Sequence, residues 1–294
     1  MITFLLSLVI ISTLFLILLH IGFRAPRIRE TQTPETLGIS FKEVSIPTVS
    51  KSPKTTKKLF GWLLPVEDSM ETLIILHGWG GNAELMLPVA VPFYRKGMNI
   101  LLIDSRNHGN SDSDSFSSLP RFAEDLGKSI DWLKQNHPNQ SQKIAVLGHS
   151  VGASAVLFAA SKRKDIDAVI SISAFAHPEW LMQRFLEGIH LGGLGLPQFL
   201  ITFILRYIQW VIGHTFLEIA SLHTVCEIDS PILLVHGKED TTVPIEDARA
   251  IIENCPEPHI TLLEIDDAGH ESVDKIEFHA EKLISFLRHS GFHL

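Results

Sequence analysis

Short apolar runs alternate with amphipathic stretches along most of the chain. Six runs with strand character are Thr72–Leu76, Asn99–Asp104, Lys143–Leu147, Ala168–Ile172, Ile232–Val235 and Ile260–Ile265. The stretches with helical spacing are Asn82–Lys96, Arg121–Asn136, the residues after Ser150, Ile245–Glu253 and Lys275–His289. Strands that alternate with helices predict right-handed crossovers and a mainly parallel sheet.

Two further strands come first. Ser40–Ile46 and Lys57–Leu64 flank the turn-rich stretch Pro47–Thr56, a spacing that predicts an antiparallel hairpin. The complete sheet is therefore expected to have eight strands, flanked by helices.

The alternation stops between residues 173 and 227, which we interpret as an inserted helical cap. Within it, Leu196–Leu217 predicts a helix with a narrow polar stripe and a wide apolar face. That face has three possible roles: it packs on the main domain, it lines a channel for an acyl chain, or it dips into a bilayer. A second membrane span is disfavoured because Arg206 falls in the middle of the segment.

The first residues differ from those of a soluble protein. Ile2–Phe23 has no formally charged side chain and is long enough to cross a bilayer, so residues 1–23 are predicted to be an uncleaved transmembrane anchor. Arg24, Arg27 and Arg29 follow it, which predicts that the domain after the anchor lies on the cytoplasmic side of the membrane. Residues 24–39, which include two prolines, are expected to be a linker.

Composition narrows the class of protein. A chain of 294 residues, 45% of them hydrophobic, has room for one large α/β domain, predicted in two parts at residues 40–172 and 228–294. A formal net charge of −8 without a basic run argues against a nucleic-acid partner. Two cysteines, Cys226 and Cys255, do not make a disulfide framework.

The clearest chemical signal is Gly148-His149-Ser150-Val151-Gly152, which lies between a predicted strand and a predicted helix. A G-x-S-x-G sequence in this position is typical of a sharp turn that holds an exposed serine nucleophile. The alternative is an ordinary tight turn. A serine hydroxyl is a poor nucleophile, so catalysis by Ser150 would need a histidine base, a carboxylate to orient it and donors for an oxyanion.

Loops that follow parallel strands converge at one edge of a sheet, and three of them carry suitable groups. His77-Gly78-Trp79-Gly80-Gly81 follows the Thr72–Leu76 strand, and its glycines leave backbone N–H groups free to point into a site. We expect the amides of Trp79 and Val151 to form the oxyanion hole. His77 is expected to be structural.

The other two loops supply the acid and the base. Asp240 follows the Ile232–Val235 strand, whereas its neighbour Glu239 is expected to face solvent and Asp229 precedes the strand at the wrong end of the sheet. His270 follows the last strand, in a turn of small residues. The prediction is a catalytic set of Ser150, Asp240 and His270.

Taken together, these motifs resemble the α/β-hydrolase superfamily from about residue 40 to the C-terminus. HGWGG, DSRNHGNS at residues 104–111, GHSVG, HGKED and AGH stand in family order, and Ser150, Asp240 and His270 follow the superfamily's nucleophile–acid–base order. The DSRNHGNS segment is similar to a D-x-R-G-x-G-x-S loop of the family, in which Asp104 and Arg106 would tie loops together. The resemblance implies the α/β-hydrolase fold with an inserted cap.

The expected function is a membrane-anchored serine hydrolase that cleaves an apolar or lipid-derived carboxylic ester, without a metal or another cofactor. The same catalytic set would also suit a thioesterase or a serine peptidase, and an acyltransferase would pass the acyl group to an alcohol. A rival of another class is a non-catalytic binding protein with this fold. The sequence does not define the oligomeric state.

Overall fold

A twisted, mostly parallel sheet forms the centre of the computed structural model, which describes residues 10, 13–17, 19–22, 24–51, 54–191, 193–272, 275 and 278–294. Its strand order is β1-β2-β4-β3-β5-β6-β9-β10. The strands of this sheet are β1 Lys42–Lys51, β2 Lys54–Leu64, β3 Glu71–Leu76, β4 Asn99–Ile103, β5 Lys143–His149, β6 Ala168–Ile172, β9 Ile232–Gly237 and β10 Ile260–Ile265. The predicted eight-stranded sheet is confirmed.

Helices cover both faces of the sheet. They are α1 Leu87–Arg95, α2 Leu119–Asn136, α3 Val151–Lys162, α4 Pro178–Glu187, α5 Gln198–Ile212, α6 Ser221–Thr224, α7 Ile245–Asn254 and α8 Ala280–His289. Short 3-10 helices are Pro34–Leu37, Glu84–Met86, Pro138–Gln140 and Val225–Glu227. A second, two-stranded sheet pairs β7 His190–Leu191 with β8 Leu194–Gly195.

The central strands are continuous apolar runs because both of their faces are buried. In β3, Ile74 and Leu76 enter one apolar cluster, whereas Leu73 and Ile75 enter the cluster on the opposite face. This is the two-residue alternation of a strand, with helices packed on each side.

The antiparallel hairpin has a shorter turn than predicted. β1 and β2 pair over their whole length, from Lys42 opposite Leu63 to Lys51 opposite Lys54, so the predicted turn at Pro47–Thr56 is mostly strand. Pro47 is tolerated because β1 lies at the edge of the sheet. Polar residues were misread as a turn, although an edge strand of an antiparallel pair readily carries them.

The residues predicted as a cap contain α4, the two-stranded sheet, α5 and α6. In α5, Ile201, Ile204 and Ile208 are buried in the main apolar cluster, whereas Phe199 and Trp210 are 76% and 78% exposed. The wide apolar face is therefore only partly covered by the domain.

One ion pair and one hydrogen bond from a backbone amide fix the start of this region to the main domain. The Arg184 guanidinium donates to both carboxylate oxygens of Asp247 at 3.1 Å, and the amide of Ala176 also donates to Asp247, at 3.0 Å. Asp247 belongs to α7, which packs beside β9 and β10.

The predicted transmembrane anchor is not supported. Among the described residues, no helix has both the length and the apolar character to span a bilayer. Residues 13–17 and 19–22 are helical, whereas residues 1–9, 11, 12, 18 and 23 of the predicted anchor lie outside the described residues. The segment predicted as a linker begins with a stretch, residues 24–31, that packs on the loops after β3 and β4.

Candidate active site

Ser150 occupies a strained turn between β5 and α3. Its backbone has φ 56° and ψ −118°, a conformation that a non-glycine residue adopts only when its surroundings enforce it. A Cβ at Gly148 would overlap the carbonyl of Gly152, and a Cβ at Gly152 would overlap the carbonyl oxygen of His77. The amide of Ser150 donates to the carbonyl of Ile172 in β6 at 2.9 Å. The two glycines are therefore needed for close backbone packing around an outward-facing serine.

Ser150, His270 and Asp240 form a hydrogen-bonded line. His270 Nε2 lies 2.9 Å from Ser150 Oγ, and His270 Nδ1 lies 2.7 Å from Asp240 Oδ2. The three residues follow β5, β10 and β9, so parallel strands bring together side chains that are far apart in sequence. The structure thus assembles the three side chains selected from the sequence, in an order that allows His270 to receive the Ser150 proton.

Asp240 is held as a buried acceptor. Its Oδ1 accepts hydrogen bonds from the amides of Thr242 at 3.0 Å and Val243 at 2.8 Å. Burial favours the neutral form, but the hydrogen bonds from His270 and Val243 outweigh it, so the pKa of Asp240 lies below its usual range. The rival carboxylates lie elsewhere: Glu239 is exposed, and Asp229 pairs with Lys164 at the surface.

His149 is a supporting residue that the sequence reasoning missed. Its Nε2 lies 2.8 Å from the backbone oxygen of His270, and since a carbonyl only accepts, this nitrogen carries the proton. Burial, and the nearby His270, lower the pKa of His149. His149 thus fixes the backbone of His270 while remaining neutral. The only signal in the sequence was its position beside the serine.

His236, the first residue of the HGKED motif, is a second supporting residue to which the sequence analysis gave no role. Its Nε2 donates to the carbonyl of Val243 at 2.8 Å and lies 3.6 Å from Asp240 Oδ2. Burial lowers the pKa of His236. The residue therefore braces the loop that carries Asp240.

The loop after β3 passes directly over Ser150. A Cβ at Gly78 would lie 3.2 Å from Ser150 Cβ and 3.0 Å from His149 Nδ1. In the part of the chain that the structure describes, the amides of Trp79 and Val151 donate to no other protein group. Two unengaged N–H groups beside a serine suit an oxyanion hole.

His77 lies beneath this loop and is buried. Its Nε2 accepts from the amide of Ser105 at 3.1 Å, and its Nδ1 donates to the carbonyl of Gly78 at 2.6 Å. Burial lowers the pKa of His77 to about 3, and the neighbouring His108 adds to the effect. A neutral ring with both nitrogens engaged is structural, as expected from the sequence.

The DSRNHGNS loop after β4 supports the site from one side. Asp104 accepts hydrogen bonds from the amides of Ala83 and Asn110, both at 2.8 Å. Arg106 is buried, and its Nε donates to Asp125 at 2.7 Å. These contacts tie together the loops after β3 and β4. Within the described ranges, no group of three or more histidine, cysteine, aspartate or glutamate side chains is arranged to hold a metal ion.

Comparison with known proteins supports the fold. A family model described as the alpha/beta hydrolase fold matches residues 71–197. An esterase of Pyrococcus furiosus has a similar structure, with a TM-score of 0.72 and 27% identity over 90% of this chain and 98% of the esterase. An alpha/beta hydrolase of Penicillium has a TM-score of 0.64 at 21% identity, covering 85% of this chain and 100% of its own, which supports the fold alone.

The chain has the α/β-hydrolase fold, and its similarity to the Pyrococcus esterase supports a hydrolase. Among sequence relatives, an uncharacterized membrane protein of Saccharomyces cerevisiae is 25% identical over 263 residues, which span 88% of this chain and 84% of the yeast protein.

Proposed function

We propose that this chain is a serine hydrolase that cleaves carboxylic esters through an acyl-enzyme. The observation that carries the proposal is the uninterrupted hydrogen-bonded line from Asp240 through His270 to Ser150, with separations of 2.7 and 2.9 Å. A scaffold protein would have no need for a buried carboxylate, a bridging imidazole and a strained serine in one line.

In the first half of the reaction, Ser150 Oγ attacks the ester carbonyl carbon while its proton moves to His270 Nε2. Asp240 accepts the Nδ1 hydrogen of His270, which keeps Nε2 available as a base and stabilises the imidazolium. The tetrahedral intermediate then collapses, His270 returns the proton to the leaving alcohol, and Ser150 retains the acyl group.

In the second half, water replaces the alcohol. His270 takes one proton from the water, whose oxygen bonds to the acyl carbon, and then returns the proton to Ser150 Oγ as the acid leaves. In both halves, the negative charge on the carbonyl oxygen is stabilised by the amides of Trp79 and Val151. Val151 is the first residue of α3, so the helix dipole adds to this stabilisation.

An apolar or lipid-derived ester is the proposed substrate class. Aromatic side chains on the cap and on the loop over Ser150 are partly exposed, including Trp79 at 42% and Trp180 at 42%. The similar Pyrococcus protein is named an esterase.

We also propose that the N-terminal residues associate with a membrane and that the catalytic domain lies on its cytoplasmic side. This proposal is supported by the uncharged sequence Ile2–Phe23 and by the name of the yeast relative. Alkaline carbonate extraction followed by protease protection tests it. Release into the carbonate wash, or a protease-protected catalytic domain in sealed vesicles whose cytoplasmic face is outward, would contradict it.

Labelling with a fluorophosphonate probe tests the catalytic proposal on the full-length protein. Wild type is expected to label and to hydrolyse esters, whereas Ser150→Ala and His270→Ala do neither. Ser40→Ala and His223→Ala are matched controls because both residues are exposed and distant in sequence from the site. A folded wild-type protein without labelling or hydrolysis would instead favour the binding-protein alternative.

A further inference from the structure

Residues 24–31, which we call the strap, lie across two loops of the candidate site. Arg27 Nη1 donates to the carbonyls of Gly109 at 3.0 Å and Ser111 at 2.6 Å, and Arg27 Nη2 donates to Ser113 Oγ at 3.1 Å. Three hydrogen bonds from one guanidinium bind the strap to the loop after β4. Arg27 therefore has a structural role, in addition to being one of the basic residues from which the membrane orientation was predicted.

The strap also contacts the loop over Ser150, which we call the oxyanion loop and define as residues 77–83. Asn82 Nδ2 donates to the carbonyl of Ile28 at 3.2 Å. Gly80 has φ +74°, and a Cβ there would lie 3.3 Å from Pro26 Cγ. The amide of Thr31 donates to Glu84 at 2.6 Å, just beyond the loop. The backbone of the oxyanion loop is thus enclosed between the strap and Ser150.

Glu30 and Asp104 bring two carboxyl groups together under the strap. A Cβ at Gly109 would overlap both Asp104 Oδ2 and Glu30 Oε1, so these two oxygens lie around the same point. Glu30 Oε1 is buried, and no N–H group of the described chain donates to it. Glu30 Oε2 accepts from Asn110 Nδ2 at 2.5 Å.

Two adjacent carboxylates disfavour two negative charges, all the more because Asp104 and the Oε1 atom of Glu30 are buried. Burial, followed by the hydrogen bond and the charge of Glu30, raises the pKa of Asp104 well above its usual range. A proton between the two groups satisfies Glu30 Oε1 and removes the repulsion. Asp104 also accepts a hydrogen bond from the amide of Ala83, the last residue of the oxyanion loop. The carboxyl group that shares the proton therefore contacts this loop directly.

We propose that the strap is a positioning element for the oxyanion loop, and that one proton shared by Glu30 and Asp104 holds it in place. The expected effect on turnover rests on the proposed function. The expected effect on the conformation of the oxyanion loop does not. Loss of the proton at high pH leaves two carboxylates in contact, which repel each other and release the strap. The Trp79 amide then loses its fixed position, which lowers kcat more than it changes KM.

Charged groups around the pair do not remove the need for the proton. On the strap, the Arg27 guanidinium donates to carbonyls and also attracts Asp104 and Glu30, but burial and the neighbouring Glu30 still raise the pKa of Asp104. Arg29 is exposed. On the loop after β4, Asp112 adds a negative charge and accepts from the amide of Lys58 at 2.8 Å, and His108 is neutral because burial lowers its pKa to about 4. Beyond the oxyanion loop, Glu84 adds a further carboxylate that binds Thr31.

Hydrogen exchange of the full-length, detergent-solubilised protein tests the inference, with exchange corrected for the intrinsic effect of pH. In wild type, peptides covering residues 77–83 should lose protection as the pH rises. Glu30→Gln should keep protection at every pH, because its amide can donate to the Asp104 carboxylate without a titrating proton. Glu30→Ala should lose protection at every pH, by about tenfold or more, and Glu35→Gln is the matched control because Glu35 is exposed.

Steady-state ester hydrolysis on the same samples gives the second measurement. Glu30→Ala should lower kcat by about tenfold to a hundredfold with KM within about twofold, as expected when a transition-state donor is misplaced. If hydrogen exchange of residues 77–83 were unchanged in Glu30→Ala, or if its pH dependence persisted in Glu30→Gln, the shared proton would be ruled out. If exchange in Glu30→Ala changed but kcat did not, the positioning role would be ruled out. Absence of turnover in every variant at every pH would instead count against the proposed function, since the exchange result does not depend on it.

Discussion

Replacement of Asp240 by asparagine is the most informative perturbation of the proposed triad, because the structure fixes how the new amide must sit. Asp240 Oδ1 accepts from the amides of Thr242 and Val243, and Oδ2 faces His270 Nδ1. If the NH2 group of asparagine took the Oδ1 position, it would face two N–H donors. Each buried donor without an acceptor costs about 1–3 kcal/mol, so this orientation is disfavoured by about 2–6 kcal/mol.

The amide NH2 of Asp240→Asn therefore faces His270 Nδ1, which must become an acceptor. The ring proton then resides on Nε2, which points at Ser150 Oγ, and no base remains for the serine proton. A wrong tautomer of this kind costs about 10⁴ in kcat, or about 5.4 kcal/mol of transition-state stabilisation. The structure itself should change little, since the amide has nearly the same shape as the carboxylate.

Fluorophosphonate labelling rates and kcat for a short ester measure the effect, and a thermal melt verifies the fold. Asp229→Asn is the matched control, because Asp229 pairs with Lys164 at the surface. A folded Asp240→Asn protein that retained more than about a tenth of the wild-type kcat would refute the tautomer argument and, with it, the role proposed for Asp240.

Three other predictions concern the surroundings of the site. Gly152→Ala should lower the melting temperature and abolish probe labelling, because the new Cβ meets the His77 carbonyl and overpacking costs about 1–3 kcal/mol. His77 has a pKa of about 3 when folded, below the usual value near 6.5, so it stabilises the fold at neutral pH and loses that contribution as the pH falls below 6.5. Denaturant unfolding at pH 7 and pH 5 should show that His77→Gln reduces this loss by about 2 kcal/mol, because pH 5 lies about 1.5 units below the usual pKa and each unit is worth about 1.4 kcal/mol; an unchanged loss would contradict the buried neutral ring. Arg184→Ala removes the paired contacts to Asp247 and should alter the kcat/KM ratio of long to short acyl esters without preventing probe labelling; an unchanged ratio would show that this contact does not govern substrate choice.

The sheet and the three candidate catalytic side chains could be predicted because their signals are local. An apolar run before Gly148 and small residues after Ser150 encode the strand, turn and helix within one short stretch. Asp240 and His270 each follow a strand, so the rule that loops converge at the carboxyl ends of parallel strands was sufficient to select them.

Contacts between distant segments were not predictable in the same way. The bond from His149 to the carbonyl of His270 depends on a backbone oxygen, which has no sequence signature. The strap was read as part of a linker because its proline and charges are typical of one, and because partners such as Gly109, which accepts from Arg27, lie about eighty residues further along the chain. The length of the β1–β2 hairpin was misjudged because polar residues suit an edge strand as well as a turn.

The position of the inserted region has a consequence for how such a protein can diversify. β6 and β9 are parallel neighbours, so the chain leaves the sheet at one edge and re-enters it at the other. The amide of Leu222 nevertheless donates to the carbonyl of Ala176 at 3.0 Å, which brings together the two ends of the stretch between these residues. An insertion whose two ends lie close together can lengthen, shorten or be exchanged at little entropic cost to the rest of the domain. Grafting this region from one relative to another is therefore a practical route to new specificities, in which the residues around Ser150 are inherited unchanged while the covering segment is redesigned.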